Sequence, residues 1–599
     1  MKKILKFVVI IPFLTGCEDL FVPAPENFRY EESLYNEPAF AQGLLGHAYI
    51  GNPLGGWLFH DVATDDAVSN DPNNGYRRMA TGQWTSNSGA PMDRWQYLRA
   101  SMQYINLFIS MVDDVKWAND PLIARMINDR LKGDAYGMRA LFLYHLILHH
   151  GGWDNSGQLL GIPILTEPED TDSEFNLPRD TFQKCVEQIY ADAEMALSLL
   201  PSAYNNISDD ALVPEKYANM ATAEHKETPG NLAAMYSRTF GNQHRNRMSG
   251  GIVEAIRAQV TLLAASPGYS TGTSYTWADA AQQMAIVLNR LGANPVAEID
   301  PNGGTWYANA REIDGLGSGN NPKEMLWRSN KETNRGLEED NFPPTLFGRG
   351  RINPTQNLVD AFPMANGYPI GHALSDYNEN NPYAGRDPRL GRYILYNGQT
   401  AGHQNTVITT AVDGTGNDAL GRTETSTRTG YYMKKLLRQD VNANPSGANN
   451  QAHYKPFIRF TEIFLGYAEA ANEAWGPVGT APNASYSAYD VIKAIRARAG
   501  VGTENGDAYL ESIRGDKDAM RELIRNERRL ELCFEGHRFW DLRRWQAPIT
   551  EAARGMSITA AEYKVIPVEN RVYADYMYFG PIPYTETLKY SNLQQNRGW

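Results

Sequence analysis

The stretch Arg521–Trp545, RELIRNERRLELCFEGHRFWDLRRW, constrains the fold more than any other. Leu523, Leu530 and Phe534 recur at helical spacing with Ile524 beside them, so the segment reads as a helix up to Glu535. Gly536 then stops it, as a glycine just past a helix end does. Glu527, Glu531 and Glu535 step along one side at i, i+4 and need cations close by. Arg525, Arg528 and Arg529 are the nearest supply. His537–Trp545 follows, with two tryptophans between arginines. One reading is an acid/base site made of Glu527, Glu531, Glu535, His537 and Asp541. The other is an ion-paired helix with an Arg/Trp-stacked turn that locks helices together. The second is favoured, because such charge networks are as often structural as functional.

The opposite end speaks to compartment. Lys2, Lys3 and Lys6 precede the apolar run Phe7–Leu14, which is too short for a permanent span and has the form of a secretory leader. Leu14-Thr15-Gly16-Cys17 resembles a bacterial lipobox. That makes residues 1–16 a signal peptide and Cys17 the lipidated residue, since several acyl chains on one cysteine make a stable anchor. Glu18 and Asp19 resemble a surface-export signal of Bacteroidetes lipoproteins. Without the three leader lysines the formal charge of −13 becomes −16. No long basic tract accompanies it, which argues against a nucleic-acid partner. Aromatics make up 11% of the chain, far too many for a disordered body. Cys185 and Cys533 both fall in helical stretches and read as buried free thiols.

The first half is a series of helices. Asp93–Val112 carries apolar residues at three and four, with Asp93 as a candidate cap. Pro121–His150 is apolar on nearly every side after Met138 and should be central. Thr181–Leu200 follows Asp180, a candidate cap, and stops at Pro201. Gly251–Ala265 and Trp277–Leu291 give two more. Short turns between them predict stacked antiparallel pairs, although no clean 34-residue repeat is present. From about Val296 to Tyr454 the chain is rich in Gly, Asn, Pro and Thr, with β-prone runs at Met325–Arg328, Arg392–Leu395 and Val407–Ala411. Helices return at Phe460–Trp475, Ser487–Ala499 and Ala519–Glu535. The aromatic tail Tyr578–Trp599 should pack on the body.

These segments, in this order, resemble the SusD/RagB family of Bacteroidetes outer-membrane lipoproteins. The resemblance covers nearly the whole mature chain. It is carried by RWQYLRASMQYINLFI (Arg94–Ile109), LKGDAYGMRALFLYHLILHHGG (Leu131–Gly152) and NLPRDTF (Asn176–Phe182). NPTQNLVDAF (Asn353–Phe362), NPYAGRDPRL (Asn381–Leu390), IRFTEIFLGYAEAANEA (Ile458–Ala474) and the opening segment continue it, followed by GPIPYTE and LQQNRGW. Gly133-Asp134 departs from the family pattern, which tests only helix packing. The resemblance implies an all-α fold, a tetratricopeptide-like solenoid of helical pairs under a loop-rich lobe with a few short strands. Residues 17–295 would form the N-terminal helical region, and 296–599 the C-terminal region with the lobe and closing helices. It also implies a lipid-anchored protein on the outer face of the outer membrane, which captures a glycan and passes it to a SusC-like TonB-dependent transporter. No catalysis and no cofactor are implied, and a structural cation is left open. An oligopeptide carrier of RagB type is one alternative, and a surface glycoside hydrolase is another.

A glycan site needs aromatic planes for ring faces and planar polar groups for hydroxyl edges. The resemblance places that surface at His60–Trp84 and Ser329–Arg351. The first stretch offers Asp65, Asp66, Asn70, Asn73, Asn74, Tyr76 and Arg77. The second offers Asn330, Arg335, Phe347 and Arg349. Trp306 and Tyr307 lie in a Gly/Asn-rich loop that can contribute. Against these stand blander readings of other groups. Glu462, Glu469 and Glu473 share a helix face and should pair with arginines such as Arg496 and Arg498. His145 and His149 have the spacing of a zinc pair but lack the glutamate of a metalloprotease and a third ligand, so they read as buried histidines.

Overall fold

The computed structural model describes residues 35–88, 91–317, 320–560 and 562–599. The leader, Cys17 and the acidic pair after it lie outside the described residues.

Seven helices of the first half are α1 (Pro38–Ile50), α2 (Trp95–Met111), α3 (Pro121–His150), α4 (Phe182–Leu199), α5 (Asn231–Phe240), α6 (Gly250–Ala265) and α7 (Trp277–Leu288). The closing helices are α8 (Phe460–Trp475), α9 (Ala488–Ala499), α10 (Lys517–Glu531) and α11 (Arg538–Arg544). They stack in a row: α1 on α2, α2 on α3, α3 on α4, α4 on α6, α6 on α7, α7 on α8, and α8 on both α9 and α10. This is the predicted solenoid of helical pairs, with α5 attached to the flank of α3. Local chemistry starts several of these helices. Asp120 accepts from the Leu122 and Ile123 amides at 2.8 and 3.0 Å, with Pro121 in the first turn of α3. The α4 cap is Thr181 rather than Asp180. Ser487 and Asp490 form a reciprocal capping box on α9.

Gly133 has a packing role. A Cβ there would meet Leu200 Cγ at 2.7 Å, so glycine lets α4 lie close against α3. One apolar core runs through the stack from Ala41 to Leu593. It draws on residues either side of position 295, since Met284 of α7 packs against Gly466 of α8.

The lobe has its own core, which includes Trp306, Tyr307, Phe342, Phe362, Tyr393 and Phe534. Its strands are short antiparallel pairs: β1 (Ala67–Ser69) with β3 (Ile352–Pro354), β2 (Met325–Arg328) with β4 (Pro456–Arg459), and β5 (Ala553–Ile558) with β6 (Tyr563–Glu569). Of the three β-prone runs, Met325–Arg328 is a strand throughout, whereas Arg392–Leu395 and Val407–Ala411 shrink to two-residue bridges at Ile394–Leu395 and Thr406–Val407. The tail packs on the body as expected. Asn596 Nδ2 donates to His150 O at 2.9 Å, and the Trp599 ring lies 4.9 Å from that of Trp84.

Candidate functional site

The charged segment Arg521–Trp545 is interior. Helix α10 ends at Glu531, four residues before the predicted stop, because Phe534 takes φ +63° ahead of Gly536 at +81°. Its carboxylates find cations from distant elements instead of Arg525, Arg528 and Arg529. Glu527 meets Arg389 and Arg496 at 2.7 and 3.1 Å, Glu531 meets Arg389 and Arg498 at 3.0 and 2.8 Å, and Glu535 meets Lys435 and Arg459 at 2.7 Å each. Burial opposes ionisation of Glu531, but Arg498, Arg389, Arg459 and Lys435 hold it down at about 2. Asp541 bridges Arg528 and Arg544. The α8 glutamates are also paired, though not with Arg496 or Arg498. Glu469 takes Arg544, Glu473 takes Arg521, and Glu462 accepts from Gln259 at 2.6 Å. The carboxylates an acid/base site would use are spent on holding helices together.

Two of the loop carboxylates offered as ligand contacts belong to the same network. Asp65 is 3% exposed and Asp66 fully buried. Arg529 reaches both at 2.7 and 2.5 Å, and Arg538 reaches Asp65 at 2.9 Å. Adjacent buried carboxylates require such cations, so they turn inward. Trp306 and Tyr307 are 2% and 6% exposed and packed edge-to-face in the lobe core, out of a ligand's reach. Asn330 and Arg335 are at the surface, engaged with Asn246 and with Glu339 and Asn450.

The remaining predicted residues converge. The β1/β3 register, Ser69 opposite Ile352, sets Asn70 beside Arg351. Asn70 is a hub: its Nδ2 donates to Arg349 O at 2.9 Å, its Oδ1 accepts from Arg351 at 3.3 Å, and its carbonyl accepts from Arg77. Arg77 Nε also donates to Glu569 at 3.1 Å. The same Glu569 oxygen takes Arg428 at 2.6 Å, and the other oxygen takes Arg571 at 2.6 Å. Asn74 caps the short helix Gly75–Arg78, which orients Tyr76 and Arg77. Exposed Asn73 lies on the rim, and Phe347, at φ +64°, holds its ring 54% exposed.

Sequence reasoning missed Arg351, Arg428, Glu569 and Arg571. Arg351 fell inside the second predicted stretch; the others lie over 70 residues beyond it, Glu569 and Arg571 brought in by the β5/β6 hairpin and Arg428 held by Asn353 and Ser69. It also missed a second aromatic surface, where Tyr383 and Tyr396 stack at 4.2 Å and 18°, with Tyr563 edge-on at 5.9 Å.

A cavity of about 130 Å³ lies among α3, α6, α8 and α11, reached by the first loop stretch at His60 and walled in part by Glu535, His537 and Asp541. His60, His145, His149 and Trp540 line it. His60 and His149 bond backbone carbonyls through Nδ1, at 3.2 and 2.8 Å, which fixes their neutral tautomer. Burial pushes His60 and His145 down to about 3, with the Arg94 charge adding to it. Among the described residues, no three His, Cys, Asp or Glu side chains are arranged to hold a metal ion.

A family model described as "SusD family" matches residues 321–599, and one described as "Starch-binding associating with outer membrane" matches residues 54–225. Together they take in about three quarters of the chain. The chain belongs to the SusD/RagB family. Solved members share its architecture nearly end to end. A SusD-like protein of Bacteroides fragilis NCTC 9343 is 21% identical, with TM-score 0.70 over 95% of this chain and 99% of that one. A SusD-like carbohydrate binding protein of the same organism is 19% identical, with TM-score 0.66 over 94% and 100%. A laminarin binding SusD-like protein is 17% identical, with TM-score 0.55 over 94% and 99%. SusD-like protein P25 of Formosa agariphila is 32% identical over 114 residues, an alignment spanning 19% of either chain. Within the SusD/RagB fold, the Asn70 hub sits where strand β1 leaves the helical stack for the lobe.

Proposed function

We propose that this protein is a cell-surface lipoprotein of the outer membrane that captures a polysaccharide or oligosaccharide and delivers it to a SusC-like TonB-dependent transporter. One observation carries the reading. The matched family stretch described as starch-binding, residues 54–225, contains the surface that Asn73 and Arg77 reach, with Asn70 buried beneath it and Tyr76 half-buried against His60. Exposed rings and planar polar groups are the chemistry a glycan requires. Two solved relatives described as carbohydrate binding and laminarin binding have the same fold over 94% of this chain. The ion-paired state of the interior carboxylates favours a carrier over a hydrolase, which needs two facing carboxylates free to act.

Glycan-array binding beside product analysis tests this. Retention of glycans without cleavage is expected; products would favour the hydrolase, and retention of peptides alone would favour an oligopeptide carrier. The anchor has its own test. Cys17→Ala should leave the protein out of the outer-membrane fraction, and its persistence there would refute lipidation at Cys17. No helix among the described residues is long and apolar enough to cross a membrane.

A further inference from the structure

We infer that the glycan carries acidic groups, and that Arg77, Arg351 and Arg428 form the subsite that binds them. This rests on the glycan reading and sharpens it to a class of substrate, a sulfated or uronate-bearing polysaccharide.

Charge comes first. The chain as a whole has a formal charge of −13, yet four guanidiniums meet around Asn70. They are Arg77 and Arg351 on Asn70 itself and Arg428 and Arg571 on the adjoining Glu569, and the carboxylates beside them are Glu569, Asp71 and Asp340, the last paired with a further arginine, Arg349, at 3.1 Å. Glu569 is shared by three of the arginines. Asp71 Oδ1 is turned to the Asn73 amide at 2.9 Å. The surface is therefore locally positive on an acidic protein.

Geometry comes second. Arg571 is fully buried and spends its guanidinium on Glu569 and on the carbonyls of Thr64 and Ala67. It is a support, held out of contact with ligand. Arg77 and Arg428 are different: their side chains keep 22% and 24% of their surface while one end of each is clamped on Glu569. Arg428 is further fixed by Ser69 O at 3.0 Å, and its amide by Asn353 Oδ1 at 3.0 Å. Arg351 is half-buried, is tied to Asn70 Oδ1, and has no carboxylate within 4.0 Å among the described residues. A guanidinium whose only side-chain partner is a neutral amide still has its charge to satisfy. Fixed, planar forks match the oxygens of a carboxylate or a sulfate ester, and their ordering is already complete before the ligand arrives. The exposed Phe347 ring, on the same loop as Arg349 and Arg351, offers an apolar plane for the sugar face.

The test uses the full mature chain, with Arg351→Gln and Arg428→Gln as variants, by titration calorimetry. The probes are a sulfated galactan, a polyuronate, a neutral β-glucan and duplex DNA. Either acidic polysaccharide, or both, should bind more tightly than the neutral glucan, and the two separate sulfate from carboxylate. Arg351→Gln keeps a donor for Asn70 and should weaken the acidic polymer about tenfold. Unchanged circular dichroism and melting temperature would confirm that the variants fold. Rising salt should weaken the acidic polymer and leave neutral glycan unaffected. Equal or tighter binding of neutral glycan, untouched by Arg351→Gln, would overturn the acidic subsite and leave glycan capture standing. Binding of DNA as tight as that of sulfated galactan would show a general polyanion surface and overturn it too. Failure of every glycan to bind would remove the glycan reading as well.

Discussion

Burial alone does not decide the charge of a side chain here, as Asp61 and Asp65 show. Both are buried and only four residues apart. Arg529 and Arg538 outweigh burial at Asp65 and hold its carboxyl well below the usual range. Asp61 has no such partner: its Oδ1 accepts from the Phe534 amide at 2.9 Å and its Oδ2 has no bond. Burial, followed by the Asp66 charge, raises it to about 7. The folded state therefore holds this proton more tightly than the unfolded chain does. The stability it contributes is complete at low pH and is lost as pH rises through 7. Asp61→Asn keeps an acceptor for Phe534 and cannot ionise. Relative to wild type, its unfolding free energy should gain about 2 kcal/mol between pH 5 and pH 8. Urea melts at both pH values check this, and parallel curves would show that Asp61 is already ionised in the folded state throughout that range.

At the scale of elements, the turn between α10 and α11 positions two charge networks at once. It directs Glu535 towards Lys435 and Arg459, and it aims Arg538 at Asp65. Gly536 makes it possible, at φ +81° with Leu58 against it; a Cβ would sit 2.9 Å from Leu58 Cβ and 3.0 Å from its carbonyl. Gly536→Ala should cost about 1–3 kcal/mol in a denaturant melt, and full stability would mean that the turn relaxes freely. The same turn marks the limit of sequence reading. Caps, prolines and 3.6-residue spacing are local, so α2, α3, α4, α6 and α8 were legible within a few residues. Nothing local signals a phenylalanine at φ +63°, so α10 was drawn four residues too long. Nor does a polar loop announce that Asp65 and Asp66 will meet arginines more than 450 residues away. At the site, Asn70, Arg77 and Arg349 were legible as loop residues. Their joining to Arg428 and Glu569 depends on strand register, which no short window contains.

At the scale of the molecule, the question is whether the helical stack can stand without the lobe's half of the chain. The boundary drawn at residue 295 falls just after α7, yet α7 is not an end cap. Ala280, Ala281, Met284, Ala285, Val287 and Leu288 are buried, and α8, from the other side of that boundary, is among the helices that cover them. Repeat stacks need a polar outer face on their terminal helix, and α7 has an apolar one. The far end is no freer. Arg179, before α4, donates to Asn596 Oδ1 at 2.7 Å, and that tail residue also caps the His150 carbonyl at the end of α3. A chain of residues 17–295 would thus expose the α7 face and lose the tail contacts. It should show no cooperative thermal transition, and it should bind a hydrophobic dye that the full chain ignores. Co-expression with residues 296–599 should restore a single transition near that of the intact chain. A fragment that melts cooperatively by itself would mean instead that α1–α7 fold independently. The continuous core from Ala41 to Leu593 would then be an interface between two stable units.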